Sequence, residues 1–354
     1  MSYPQRSVLA AVTLFILAPL VAEYLLGDFA VTFLSPLIIM TPMYGGGALL
    51  IREVTRRTGR GWPTMLLLGC AYCLIEEGYS TQTLFNPNSF GMHLLVPAWI
   101  PALGISGWWT IFMLNVHAFW SIGVSIALAE GLFPARARAP WLGKVGACVA
   151  AVLCAAGMAV NAAYMIRHYH FIASTTQFAI TGIFCALFVA AAFLIPVPAP
   201  RTKTGPAPSP WLTGLAAFLL GFAIFLAPAI TVILVAMRGG ARAHMNFFDA
   251  FNANLGWAAV AWILCADLVF LLLLRAFSRR SSWTALHTFS IGAAGALVYG
   301  VHAFTQLPVV PAPKTIVLAS HMLFLVLALA VIATAARRTR SALLAGLQQP
   351  IPTE

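Results

Sequence analysis

Residues 315–336 read TIVLASHMLFLVLALAVIATAA, with Lys314 before them and Arg337, Arg338 and Arg340 after, and His321 is the one ionisable side chain in those 22 positions. A helix of about 20 apolar residues crosses a roughly 30 Å hydrocarbon core with every backbone polar group satisfied internally. Working outward, nine further stretches read the same way: 8–26, 30–51, 63–83, 108–133, 145–166, 172–195, 211–236, 254–275 and 284–306. Their continuous Leu and Ala runs favour helices over the alternating pattern of a membrane barrel. The 354 residues are 61% hydrophobic and 8% charged, whereas soluble domains average about 45–50% apolar and about 25% charged. A soluble enzyme, a secreted disulfide scaffold and a disordered chain are excluded. The expectation is an all-α, polytopic transmembrane helical bundle of about ten spanning helices.

The charge excess is a topology signal. Lys and Arg number 20 against 9 Asp and Glu, a net +11. Arg6, Arg52, Arg56, Arg57, Arg60, Arg136, Arg138, Lys144, Arg201, Lys203, Arg275, Arg279, Arg280, Arg337, Arg338 and Arg340 fall on one side of the ten-helix pattern. Only Arg167, Arg238, Arg242 and Lys314 fall on the other. The positive-inside rule then puts both termini in the cytoplasm of a multi-pass cell-membrane protein. The lipid bilayer is its expected partner, and no nucleic acid is needed to explain the charge. The first helix reads as retained, with no cleavage site before Glu23–Tyr24.

Residues 1–354 read as a single integral membrane domain. The run PVPAPRTKTGPAPSP at 196–210 is a Pro-rich cytoplasmic linker between helices six and seven, and 341–354 a short cytoplasmic tail. All six cysteines lie inside expected helices, as small packing residues rather than metal or disulfide pairs. The nearly uncharged connection 81–107 is expected on the outer interface or re-entering the membrane as a lid, with Trp99, Trp108 and Trp109 in an interfacial belt.

Ionisable groups in lipid cost about 2.5–3.5 kcal/mol even on the mildest scale, so each calls for a reason. Glu23, Glu76, Glu77, His117, Glu130, Asp267, His302 and His321 are the candidates. Glu130, before Arg136 and Arg138, reads as an interfacial charge. Asp267 reads equally as a structural hydrogen-bonding group and as a proton carrier. Glu76, Glu77, His117, His302 and His321 come to similar depth on four helices, roughly 6–14 Å below the outer surface at 1.5 Å per residue. Helical spacing adds Tyr72, Tyr79, Ser80 and Thr83 to the face of Glu76. Neighbouring helical residues diverge by about 100°, so one of Glu76 and Glu77 is expected at the reacting point while the other orients a histidine. A carboxylate there can serve as general base toward water. Histidines can bind a divalent metal such as zinc or stabilise an oxyanion.

Glu76-Glu77 on one helix, Phe112 with His117 on the next, and His321 on a late helix resemble the CPBP family, the CAAX-protease and bacteriocin-processing intramembrane proteases. The family's motifs are of the type EExxxR, FxxxH and HxxxN; Thr81 and Leu325 stand where they carry arginine and asparagine, and Phe112 to His117 is one residue longer than FxxxH. The resemblance implies that Glu76 activates water, Glu77 assists, and His117 and His321 bind metal or stabilise the tetrahedral intermediate. The leading expectation is therefore an intramembrane protease-like hydrolase acting on a membrane peptide or small molecule. Its catalytic set is Glu76, Glu77, His117 and His321, with His302, Tyr72 and Asp267 as possible additions. The alternatives are a proton-coupled transporter or exporter using the same groups, and an immunity-type membrane protein in which they only pack helices.

Overall fold

The computed structural model describes residues 8–197, 205–238 and 246–346. Its helices are α1 (Val8–Leu25), α2 (Leu37–Arg57), α3 (Trp62–Leu74, continued by Ile75–Ser80), α4 (Gly107–Leu132), α5 (Lys144–Tyr169) and α6 (Thr175–Leu194). They continue as α7 (Pro210–Arg238), a short α8 (Phe247–Asn254), α9 (Gly256–Phe277), α10 (Ala285–His302) and α11 (Lys314–Leu344). Nine helices among the described residues are long and apolar enough to cross a membrane. The helix expected at 63–83 is present as α3. Its two glutamates make it less apolar than the other nine, and it sits between α4 and α6 with most of its side chains buried. The architecture is an all-α polytopic bundle.

Burial separates a centre from a rim. In its most apolar stretch α4 has 72% of its residues buried and α10 has 61%, against 17%, 11% and 17% for α5, α6 and α11. The rim helices turn residues such as Val145, Leu187 and Val326 outward, as lipid contact requires. Lipid tails are as apolar as leucine, so helices in a membrane associate mainly by close packing over small residues. Gly69 and Gly47 supply such approaches. A Cβ on Gly69 would stand 2.8 Å from the Ala118 Cα, and one on Gly47 would stand 2.3 Å from the Tyr72 ring. These contacts set α3 flush against both α4 and α2.

Basic residues stitch together one end of the bundle. Arg52 is wholly buried, with its Nε 3.0 Å from Glu130 Oε1 and its guanidinium 3.2 Å above the Trp141 ring. Its Nη2 donates to the carbonyls of Ala137, Ala139 and Arg136. Arg56 grips Glu130 at 2.9 and 2.6 Å, while Glu53 accepts from the backbone of Trp141 and Leu142. Arg60 donates to the last carbonyls of α6, Phe193 and Ile195, where a cation also suits the helix dipole. Arg338 reaches the Leu132 carbonyl at the end of α4. The clusters at 52–60, 136 and 338 thus share one end, as their partition in the sequence demands. Part of the expected linker, 198–204, and of the tail, 347–354, lies outside the described residues.

The other end carries residues 81–107, which fold as a tied cover. Strands β1 (Trp99–Ile100) and β2 (Ile105–Ser106) pair antiparallel, and Leu84, Phe85, Leu94 and Ala98 are buried beneath. The Ala173 amide donates to Gln82 Oε1 at 2.7 Å and the Ala98 amide to Asn252 Oδ1 at 3.0 Å; His93 Nδ1 meets Asp249 Oδ2 at 2.9 Å. Trp108, expected at the interface, is instead buried and stacked on Phe112 at 4.9 Å. Its indole fills the gap between the cover and α8, against Phe248 and Phe251.

Candidate functional site

The last six residues of α3, Ile75–Ser80, leave the α-helical register for a π-turn. A π-turn bonds i to i+5, so more residues share each turn and successive side chains diverge by less than 100°. Both Glu76 and Glu77 consequently face the same neighbour. His117 Nε2 lies 3.3 Å from Glu76 Oε2 and 3.4 Å from Glu77 Oε1. This corrects the expectation that the two carboxylates cannot face one spot equally; the widened helix removes the conflict.

Each member of the trio is held from behind. His117 Nδ1 stands 3.0 Å from the Met113 carbonyl. A carbonyl can only accept, so Nδ1 carries a proton and Nε2 is the atom turned to the glutamates. Glu77 Oε2 accepts from Thr81 Oγ1 at 3.0 Å and from Thr83 Oγ1, which in turn accepts from Trp109 Nε1 at 3.0 Å. All three side chains are buried. Their donor atoms lie within 4.8 Å of one another, a grouping able to hold a metal ion.

The surroundings repeat the same backbone device. Four π-turns occur among the described residues: Leu20–Leu25, Thr41–Gly45, Ile75–Ser80 and Val116–Val124. They carry Glu23, Tyr44, the two glutamates and His117 respectively. π-Helix makes up well under 1% of residues in ordinary proteins, and single π-turns concentrate at functional sites because they re-aim side chains inward. Tyr44 stacks on the His117 imidazole at 6.2 Å and Tyr72 tilts against it at 6.4 Å. Tyr44 lies in hydrogen-bonding reach of both Glu23 and Glu76. Tyr72 Oη, Glu76 Oε2 and His117 Nε2 are buried with no well-aligned hydrogen bond, although Tyr72 lies in reach of Glu76, and His117 in reach of Glu76 and Cys73. Poorly satisfied buried polar atoms are rare, and three of them converge here.

Other residues expected at the site go elsewhere. His321 is buried against Gly27, Ala303 and Phe304, outside the trio, because α11 packs on the far side of the α1 turn. His302 lies 4.4 Å from the Phe225 ring, with its Nδ1 3.1 Å from Thr305 Oγ1. Asp267 accepts from Asn115 Nδ2 at 3.1 Å, a hydrogen bond between α9 and α4. Glu130 is paired with arginines at the basic end. Along the expected stripe Tyr79 donates to the Phe178 carbonyl and Ser80 to the Met158 carbonyl, so neither faces His117. Sequence reasoning passed over Tyr44 and left Glu23 unassigned. Their signals were Pro19 and Pro42, which sit before or within the π-turns. Proline removes an amide donor and crowds the carbonyl four residues back, a local reason for a helix to change register.

What fold and site define is a polytopic membrane protein with a Glu–Glu–His cluster buried inside the bundle. The chain belongs to an uncharacterized membrane protein family, whose pattern matches residues 12–348. No curated protein and no solved structure matches it.

Proposed function

We propose that this protein is an intramembrane hydrolase in which Glu76, Glu77 and His117 activate a water molecule. One observation carries the reading: His117 Nε2 is directed at two buried carboxylates, at 3.3 and 3.4 Å, and neither it nor Glu76 Oε2 makes a well-aligned hydrogen bond. A water among these atoms meets a base at hydrogen-bonding range. As its oxygen adds to an amide or ester carbonyl, Glu76 takes one proton. When the tetrahedral intermediate breaks its bond to nitrogen or oxygen, that proton passes to the leaving group. Glu77, pinned by Thr81 and Thr83, holds the imidazole. Tyr72 Oη, in reach of Glu76, is a donor suited to the oxyanion. The resemblance to the CPBP proteases supports Glu76 as the activator of water and Glu77 as its assistant; His321 lies outside the trio, so Tyr72 Oη takes the oxyanion role. The partition of arginines supports cytoplasmic termini in the cell membrane, with the site in the outer half of the bilayer.

The test compares membranes from cells expressing the protein with those expressing Glu76→Gln, Glu77→Gln or His117→Ala, by mass spectrometry of newly formed peptide termini. Cleavage products should accompany the parent protein and vanish in each variant at equal abundance. Products unchanged in all three variants would refute hydrolysis at this site.

A second reading has its own observation. Glu23, Tyr44 and Glu76 are close enough to exchange hydrogen bonds, and Asp28, five residues past Glu23, accepts from Gln306 Nε2 at 2.8 Å near the covered end. Such a series could pass protons, as in a proton-coupled transporter. It would show as acidification-driven flux in proteoliposomes with no covalent product.

A further inference from the structure

We infer that His117 Nε2, Glu76 Oε2 and Glu77 Oε1 form the protein ligands of a divalent first-row transition-metal ion, with a fourth position open beside Tyr72. The role of such an ion in activating water rests on the hydrolase reading; its binding does not.

Three independent features lead there. The first is spacing. Zinc-class ions bind imidazole nitrogen at about 2.0–2.1 Å and carboxylate oxygen at about 2.0–2.2 Å, mostly in tetrahedral sites. The edges of such a tetrahedron are about 3.3–3.6 Å. The observed separations from Nε2 are 3.3 and 3.4 Å. Both separations from Nε2 are ligand-to-ligand distances, all three atoms lie within 4.8 Å of one another, and neither Nε2 nor Glu76 Oε2 makes a well-aligned hydrogen bond.

The second feature is charge. Two carboxylates are buried together, and the Glu23 carboxylate is near enough to act on Glu76. Among the described residues no arginine or lysine pairs with any of these three: the arginine ion pairs go to Glu53 and Glu130 at the other end. Buried charges are paired, neutralised or bound to metal. A divalent cation balances the two ligating carboxylates while leaving all three donor atoms engaged.

The third is the supporting shell. A metal-ligating histidine almost always donates its other ring N–H to a carbonyl or carboxylate, and ligating carboxylates are themselves hydrogen-bonded. His117 Nδ1 has the Met113 carbonyl, and the second oxygen of Glu77 has two threonine hydroxyls backed by Trp109. Three protein ligands with one open position are the pattern of catalytic rather than structural zinc. One nitrogen and two oxygens also suit manganese, iron or cobalt. Calcium is disfavoured, because it takes six to eight oxygens.

The experiment uses the full chain in nanodiscs, stripped with a chelator and titrated with Zn2+ by calorimetry and with Co2+ by visible absorption. The expected result is one ion per chain, with the intense bands of low-coordinate Co2+. Affinity should fall at least 100-fold in His117→Ala and Glu77→Gln, and about 10–100-fold in Thr83→Val, which touches only the supporting shell. His93→Ala, at an exposed histidine far along the cover, should bind as the parent does. His117→Gln serves as a second variant should His117→Ala fail to fold. A folded parent that takes up no stoichiometric ion overturns the inference, as does unchanged affinity in both folded His117 variants. Hydrolysis that persists in fully chelated protein but fails in Glu76→Gln overturns the ion's role in activating water and keeps the hydrolase. Stoichiometric binding without any hydrolysis keeps the metal site and overturns the hydrolase.

Discussion

Replacing Glu130 with glutamine removes the charge that two buried guanidiniums share. Arg52 is 0% exposed and Arg56 10%, and Glu130 meets them at 3.0 and 2.6 Å. Breaking a buried ion pair by removing one partner costs about 3–5 kcal/mol, because the remaining charge stays desolvated. Arg52 keeps Glu53 at 3.2 Å, three backbone carbonyls and the face of Trp141. Arg56 is closer to the bundle end. The loss should therefore fall near the lower limit, about 3 kcal/mol, or roughly two decades in the folding equilibrium. The assay is reversible unfolding in mixed micelles at fixed detergent composition, followed by tryptophan fluorescence. Zn2+ binding at the other end of the bundle should be unaffected in the fraction that remains folded. A Glu130→Gln change below about 1 kcal/mol would refute the reasoning, because it would place the network among solvent-screened surface pairs.

Tyr72→Phe deletes a hydroxyl that lies in reach of Glu76 but makes no well-aligned hydrogen bond, so unfolding should change by no more than about 1 kcal/mol. If that hydroxyl donates to the oxyanion, turnover in the same variant falls about 100- to 1000-fold, as measured by single-turnover hydrolysis. Gly69→Val drives a side chain into the Ala118 backbone. It should cost about 1–3 kcal/mol in the unfolding assay and separate the glutamates from His117, with loss of Zn2+ binding. Asp28 lies in the loop after α1, where burial pushes its carboxyl up to about 6 against the opposing hydrogen bond from Gln306. A folded-state pKa above the unfolded value of 3.8 means the folded chain holds the proton more tightly. This contribution to stability is present at low pH and is lost as pH rises from about 4 to about 6. Asp28→Asn should flatten the stability profile over that window, and a profile identical to the parent would contradict it.

Much of this molecule is legible without coordinates. A run such as 315–336 can only be a spanning helix, because lipid offers its backbone no other partners. The positions of the arginines likewise foretell that residues 52–60, 136 and 338 share one end of the bundle, since each helix reverses direction. The depth of Glu76, Glu77 and His117 follows from counting residues at a fixed rise. Depth alone also admitted His302 and His321, because it says nothing about which helix lies beside which.

The lateral arrangement came from packing that no periodicity encodes. Gly69 against Ala118 and Gly47 against Tyr72 bring α2, α3 and α4 together, leaving α11 and its His321 on the far side of α1. The register mattered as much. Regular α-helical geometry turns adjacent glutamates about 100° apart, and the π-turn at Ile75–Ser80 brings them closer to one direction. Sequence by itself determined the bundle, its charged end and two glutamates at the depth of a histidine, since lipid solvation and helical rise act residue by residue. Tertiary structure alone decided that the three meet at 3.3 and 3.4 Å, because helix neighbours and local changes of register are settled by contacts between distant parts of the chain.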